Sequence, residues 1–143
     1  MIDLRPRPAA PLALRLFDGG WFDLASQRGH PALLNFWASW CAPCQEEIPL
    51  LDALQRGYAP RGVRIVGLNL WDRPADARRF LAESGASYPN GPDPDGATAV
   101  EYGVRGVPET YLIDQQSRLV RRWIGPLDPD DAAAAVEALL GGR

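Results

Sequence analysis

Two cysteines, Cys41 and Cys44, stand three apart in Trp40-Cys41-Ala42-Pro43-Cys44. The apolar run Leu33-Leu34-Asn35-Phe36-Trp37 leads into them and a helix-like stretch follows, so the dithiol falls at a strand-to-helix junction. A thiol in the first turn of a helix faces unpaired backbone N–H groups and the positive end of the helix dipole. Both favour the thiolate and make it nucleophilic near neutral pH. The spacing therefore points to thiol redox chemistry. Other uses fit less well. A structural disulfide closing so short a loop removes little unfolded-state entropy. A zinc site normally takes four ligands, and two cysteines with the lone His30 cannot fill the usual thiolate and imidazole sets, so no metal site is expected. Two inert, buried cysteines would pack as small hydrophobes, a use that the aromatic flanks and the intervening Pro43 weaken.

At 143 residues the chain suits one domain, and a domain of this size buries roughly 68–70% of its unfolded surface, enough for a core without cross-links. The formal charge of −3 and pI of 5.1 supply no basic stripe for phosphates, so a nucleic-acid partner is not expected. All 15 basic residues are arginine, which removes lysine as a base or Schiff-base former. No run approaches the roughly 18 apolar residues of a membrane span, and the opening lacks the apolar core of a signal peptide. The Pro-rich residues 1–11 read as a poorly ordered tether end, ahead of one domain over 12–143.

The elements that position the cysteines are legible in outline. Leu12 to Leu16 alternates, Asp18-Gly19-Gly20 supplies turn chemistry and Trp21 to Leu24 resumes an extended pattern, which predicts an N-terminal hairpin. A buried strand is expected at 32–37, with a helix from Ala42 to about Tyr58 whose first turn carries Gln45, Glu46 and Glu47 as a polar face. Pro49 lies inside it and should kink it. Val63 to Trp71 reads as a second buried strand, Pro74 to Ser84 as a helix stopped by Gly85, 86–96 as turns, and 97–102 as a short helix. A hairpin follows, from Thr110-Tyr111-Leu112-Ile113 to Leu119–Ile124, and then a last helix opened by Asp128-Pro129. Trp37, Trp71 and Trp123 read as core or edge packing, and His30 as a surface residue.

These units, with a CxxC at the first strand-to-helix junction, resemble the thioredoxin fold. The runs Asn35 to Cys44, with Glu47 and Pro49, and Gly103-Val104-Arg105-Gly106-Val107-Pro108-Glu109-Thr110-Tyr111-Leu112-Ile113-Asp114 narrow the likeness to the TlpA/ResA/CcmG (DsbE) group of extracytoplasmic thiol–disulfide oxidoreductases. The match extends over about residues 12–140. It implies an α/β domain with a central mixed sheet flanked by helices, an N-terminal hairpin, and a helical insert between a βαβ and a ββα unit.

Carried over by position, Cys41 is the exposed attacking thiolate and Cys44 the shielded resolving thiol. Pro108 aligns with the cis-proline loop, where the backbone of Val107 pairs with a bound segment. Trp40 and Pro43 fall on the rim that a partner peptide meets. The buried acid of plain thioredoxins is replaced by Asn35, which leaves Glu109 and Asp72 as candidate active-site acids. For Asp72 the competing role is a helix N-cap ahead of Pro74, and for Glu109 a solvated loop carboxylate. The resemblance further implies a monomeric, cofactor-free reductant outside the cytoplasm, its signal or anchor absent from this chain. Its partners would be disulfide-bearing exported proteins, typically the Cys-x-x-Cys-His segment of an apocytochrome c, and a membrane thiol–disulfide electron donor. A peroxiredoxin uses the same fold, but the residues before Cys41 lack its Pro-x-x-x-Thr-x-x-Cys pattern. A Cu(I)-handling assembly factor is the alternative from a different class, with the two cysteines as soft ligands.

Overall fold

The computed structural model describes residues 1–141. In chain order they form β1 (Ile2–Pro8), β2 (Ala13–Arg15), β3 (Trp21–Asp23), β4 (Ala32–Trp37), α1 (Ala42–Tyr58), β5 (Arg64–Asn69) and α2 (Pro74–Ser84). There follow β6 (Asn90–Pro92), α3 (Ala97–Tyr102), β7 (Glu109–Ile113), β8 (Arg118–Ile124) and α4 (Pro129–Leu139). Strands β1-β8-β7-β4-β5-β6 make one mixed sheet in that order, and β2 with β3 makes the expected hairpin, as a sheet of its own. β4 runs parallel to β5 and antiparallel to β7, which gives the anticipated βαβ and ββα units.

All six residues of β4 are buried because both faces of the sheet are covered. On one face Leu33 packs with Ile48, Leu51 and Leu54 of α1 and with Ala132, Ala135 and Val136 of α4. On the other, Leu34 and Phe36 pack with Leu12, Leu14 and Phe22 of the hairpin region and with Ala99 and Tyr102 of α3. α1 continues across Pro49 to Tyr58. α4 begins as expected, with the Asp128 carboxylate accepting from the N–H groups of Asp130 and Asp131.

Three expectations are corrected. Residues 2–8 are not a loose tether end but an edge strand, β1, antiparallel to β8 with Ile2 opposite Arg122 and Pro8 opposite Arg118. Proline is tolerated there because an edge strand leaves half of its N–H groups outside the ladder. The stretch expected to be all turns contains β6, which extends the sheet beyond β5 through Gly67–Asn90 and Asn69–Pro92 pairing. Trp71 is not core: it follows β5 with a φ of 54° and is 51% exposed, because the left-handed turn throws its side chain outward.

Candidate functional site

Cys41 is the N-cap residue of α1, and Cys44 stands three residues on, in the first turn. The two are joined in a disulfide, with their Cα atoms 5.3 Å apart. The Cys44 N–H donates to Cys41 Sγ at 3.2 Å. A helix N-terminus thus directs a free amide at the sulfur, the arrangement that stabilises a thiolate when the bond is opened. Pro43 lies exposed in the same turn, where its missing N–H costs the helix nothing. The expected exposure of Cys41 is corrected for this oxidised state. Cys41 is 5% and Cys44 1% exposed, so both are buried, among Trp37, Ala38, Ala77 and Val107.

Ahead of the helix, the turn at Ser39 and Trp40 is clamped by Asp72. Its carboxylate accepts from Ser39 N at 2.7 Å, Ser39 Oγ at 2.9 Å, Asn69 Nδ2 at 2.9 Å and Arg73 N at 2.9 Å. Burial works against the charge, but these hydrogen bonds outweigh it and hold the Asp72 carboxyl below its ordinary value. Asp72 is not the cap of α2. That position belongs to Arg73, which makes no side-chain cap bond. Trp40 is 61% exposed at the rim, its ring fixed by a 2.8 Å bond from Nε1 to the Trp71 carbonyl.

The loop before β7 faces the dithiol from the other side. The Val107–Pro108 bond is cis, and Val107 packs against the apolar cluster that holds both cysteines. Pro108 is buried, and its carbonyl accepts from Gly125 N at 2.9 Å. Among the described residues, neither the N–H nor the C=O of Val107 has a hydrogen-bond partner. Glu109, weighed as a solvated carboxylate, is buried instead. Its Oε2 accepts from Arg105 N and Gly106 N at 3.0 Å each, and its Oε1 accepts from the Tyr111 hydroxyl at 2.7 Å. The carboxylate therefore folds back over residues 105–108 as a splint.

A further acid was read as part of a polar face. Glu47, three residues after Cys44 and so on the same side of α1, is only 3% exposed. It accepts from Asn35 Nδ2 at 3.1 Å and from Leu127 N. Burial pushes its carboxyl above the ordinary range, against the opposing effect of those two bonds. Asn35 also donates to Thr110 Oγ1 at 3.1 Å. The position that lacks the usual strand acid thus points its amide at an acid carried by the helix. The signal was available: a polar residue in a continuously apolar strand must find a buried partner.

Among the described residues, no group of three or more His, Cys, Asp or Glu side chains is placed to hold a metal ion. No helix among them is long and apolar enough to cross a membrane.

Comparisons with known proteins extend this picture. The family model described as the AhpC/TSA family matches residues 7–122. The thiol:disulfide interchange protein HelX of Rhodobacter capsulatus is 43% identical over 136 residues, covering 94% of this chain and 75% of that protein. The thiol:disulfide interchange protein DsbE of Pseudomonas fluorescens biotype C is 39% identical over 121 residues, 81% of this chain and 66% of its own length. Among solved structures, a thiol:disulfide interchange protein of the thioredoxin family from Chlorobium tepidum TLS superposes with a TM-score of 0.86 at 29% identity, covering 98% of this chain and 100% of that one.

Proposed function

Because the chain belongs to the AhpC/TSA family and is, with its relatives, a thioredoxin-like thiol:disulfide oxidoreductase, we propose that it reduces disulfides of exported proteins, with Cys41 as nucleophile and Cys44 as resolving thiol. The observation that carries the reading is the unpaired Val107 backbone packed beside a disulfide at the start of α1. An extended client segment can bond there as an added strand would, which brings its disulfide to Cys41 between the Trp40 rim and the proline loop.

In the reduced enzyme, the Cys41 thiolate attacks one sulfur of the client disulfide. That bond breaks, a mixed disulfide forms on Cys41, and the released client thiolate takes a proton. Cys44 then loses its proton and attacks Cys41 Sγ, forming the Cys41–Cys44 disulfide and freeing the second client thiol. Two electrons pass to the client. We assign Glu47, three residues after Cys44 on the same side of α1, as the acceptor of the Cys44 proton, since burial raises its carboxyl above that of a solvated glutamate. Asp72 and Glu109 serve by shape: the first holds the turn before Cys41, the second the proline loop.

The finer reading rests on the likeness of the 35–44 and 103–114 runs. It places the protein in cytochrome c maturation outside the cytoplasm, with a Cys-x-x-Cys-His segment of an apocytochrome c as client and a membrane thiol carrier as electron donor. Trapping tests it. Cys44→Ser leaves the mixed disulfide on Cys41 unresolved, so a covalent adduct with an exported, Cys-x-x-Cys-His-bearing protein is expected on a non-reducing gel. Adducts confined to other proteins overturn the client assignment, and no adduct with any disulfide protein overturns the reductase reading.

A further inference from the structure

We propose that Tyr111 is a positioning residue for client pairing: its hydroxyl, acting through the Glu109 carboxylate, holds residues 105–107 in the shape that presents the open Val107 backbone to a client strand. The inference rests on the function proposed above and adds a residue to it.

The phenol sits where a phenylalanine would fill the same space. Its ring meets Phe36 edge-on at 5.7 Å and Tyr102 at 5.8 Å, and it is fully buried. Tyr102 is tied down in turn by a 2.8 Å bond from its hydroxyl to the Ala10 carbonyl. The hydroxyl of Tyr111 is therefore carried by a rigid core, and among the described residues its hydrogen-bond acceptor is Glu109 Oε1, with the Arg122 guanidinium also beside the oxygen. Burial first, and the bond to the Glu109 carboxylate second, push the phenol well above its ordinary value against the smaller opposing pull of the Arg122 guanidinium, so it stays protonated and remains a donor.

The other carboxylate oxygen takes the N–H groups of Arg105 and Gly106, the two residues immediately before Val107. A carboxylate held by only those two amides could turn about its terminal bond. Fixing its second oxygen removes that freedom and with it the slack in the loop. The chain of contacts runs from the aromatic core, through one hydroxyl and one carboxylate, to the backbone that meets the client. It bypasses the sulfurs.

The experiment compares Tyr111→Phe, Glu109→Ala and the double variant. Each reduced protein is mixed with a disulfide-bonded Cys-x-x-Cys-His peptide and, separately, with bis(2-hydroxyethyl) disulfide, which has no backbone to pair. Tyr111→Phe keeps the ring packing, so the fold survives. Its peptide rate should fall about tenfold, the scale of one hydrogen bond to a charged group, while the rate with the small disulfide changes less than twofold. In the Glu109→Ala background, Tyr111→Phe should have no additional effect on the peptide, because its route to the loop is gone. Amide exchange at Arg105 and Gly106 should quicken by a similar factor in Tyr111→Phe, a readout that needs no client. Equal slowing with both disulfides, additive effects of the two substitutions, or unchanged exchange at both amides overturns the inference. A wild-type protein that leaves the peptide oxidised counts against the proposed function instead, and the exchange measurement still decides the role of Tyr111.

Discussion

Replacing Glu47 by glutamine separates its electrostatic role from its place in the packing. Because burial holds the Glu47 carboxyl above its ordinary value of 4.5, the folded protein keeps this proton to higher pH than the unfolded chain does. The stability linked to it is therefore fully present below the unfolded value and is lost as pH rises through the folded one. A single proton gives a slope of at most about 1.4 kcal/mol per pH unit inside that window. Glutamine has no such slope. It keeps an acceptor for Leu127 N–H, and Asn35 can turn its amide to accept from the new NH2 while the Thr110 hydroxyl donates. At low pH, where the wild-type carboxyl is neutral too, glutamine exchanges one neutral hydrogen-bonding group for another at a cost of about 1 kcal/mol. Urea melts of oxidised wild type and Glu47→Gln from pH 4 to 8 should therefore start within about 1 kcal/mol of each other, and the variant should gain relative to wild type as pH rises. Stopped-flow release of a mixed disulfide on Cys41 should slow by about 100-fold near neutrality, the low end of what one general base contributes. The variant's rate should then climb with pH as an unassisted thiol ionises. Parallel stability curves would show that Glu47 is not buried as a costly charge, and an unchanged release rate would show that Cys44 gives its proton elsewhere.

Three other outcomes follow from the same geometry. In the reduced protein, iodoacetamide should label Cys41 before Cys44, because the N-cap sulfur lies on the side that clients reach; peptide mapping that finds Cys44 labelled first would exchange their roles. Asp72→Asn should cost about 1–2 kcal/mol at pH 7 after allowance for partial exposure. The loss should be present above the ordinary aspartate value of 3.8 and vanish as pH falls through the lowered folded value, where the wild type is protonated too; a cost that is constant down to strong acid contradicts the clamp. Gly91→Ala should destabilise by about 1–3 kcal/mol, as overpacking does, since its Cβ would run into the Arg15 carbonyl oxygen and lie 3.0 Å from Leu14 Cγ, prising the hairpin from β6; an unaltered thermal midpoint would mean that the hairpin yields freely.

The cysteines and the proline loop could be read from the chain because spacing and residue type determine them locally. A CxxC after an apolar run leaves few geometries, and Pro108 was recognisable in the Gly-Val-x-Gly-x-Pro-Glu-Thr run. Glu47 could not be placed by the same means. Its burial depends on Asn35, twelve residues earlier, and on Leu127, 80 residues later, while its helical setting reads as an ordinary solvated first turn. Glu109 was singled out from its motif as a candidate active-site acid, whereas its bonds to the amides of Arg105 and Gly106 depend on how the chain turns before β7. Strand β1 was lost to composition: alternating arginine and proline suggest a solvated tether, and only the long, otherwise open flank of β8 makes them a strand. The outward turn of Trp71 has no pattern in the sequence that would announce it.

The borders of the sheet bear on how the protein survives its own clients. The proposed reduction of client disulfides would bring unfolded chains to the protein, and any exposed strand edge offers such chains a place to stick and seed aggregation. One border is β1, whose Pro6 and Pro8 have no N–H to give and whose Arg5 and Arg7 are charged and exposed. The other is β6, three residues long and ending in Pro92. Both borders repel further strands, and the open backbone at Val107 is left as the inviting one. Among the described residues, promiscuous adhesion would thereby be steered toward the loop beside the dithiol, where on the proposed function contact ends in chemistry and release.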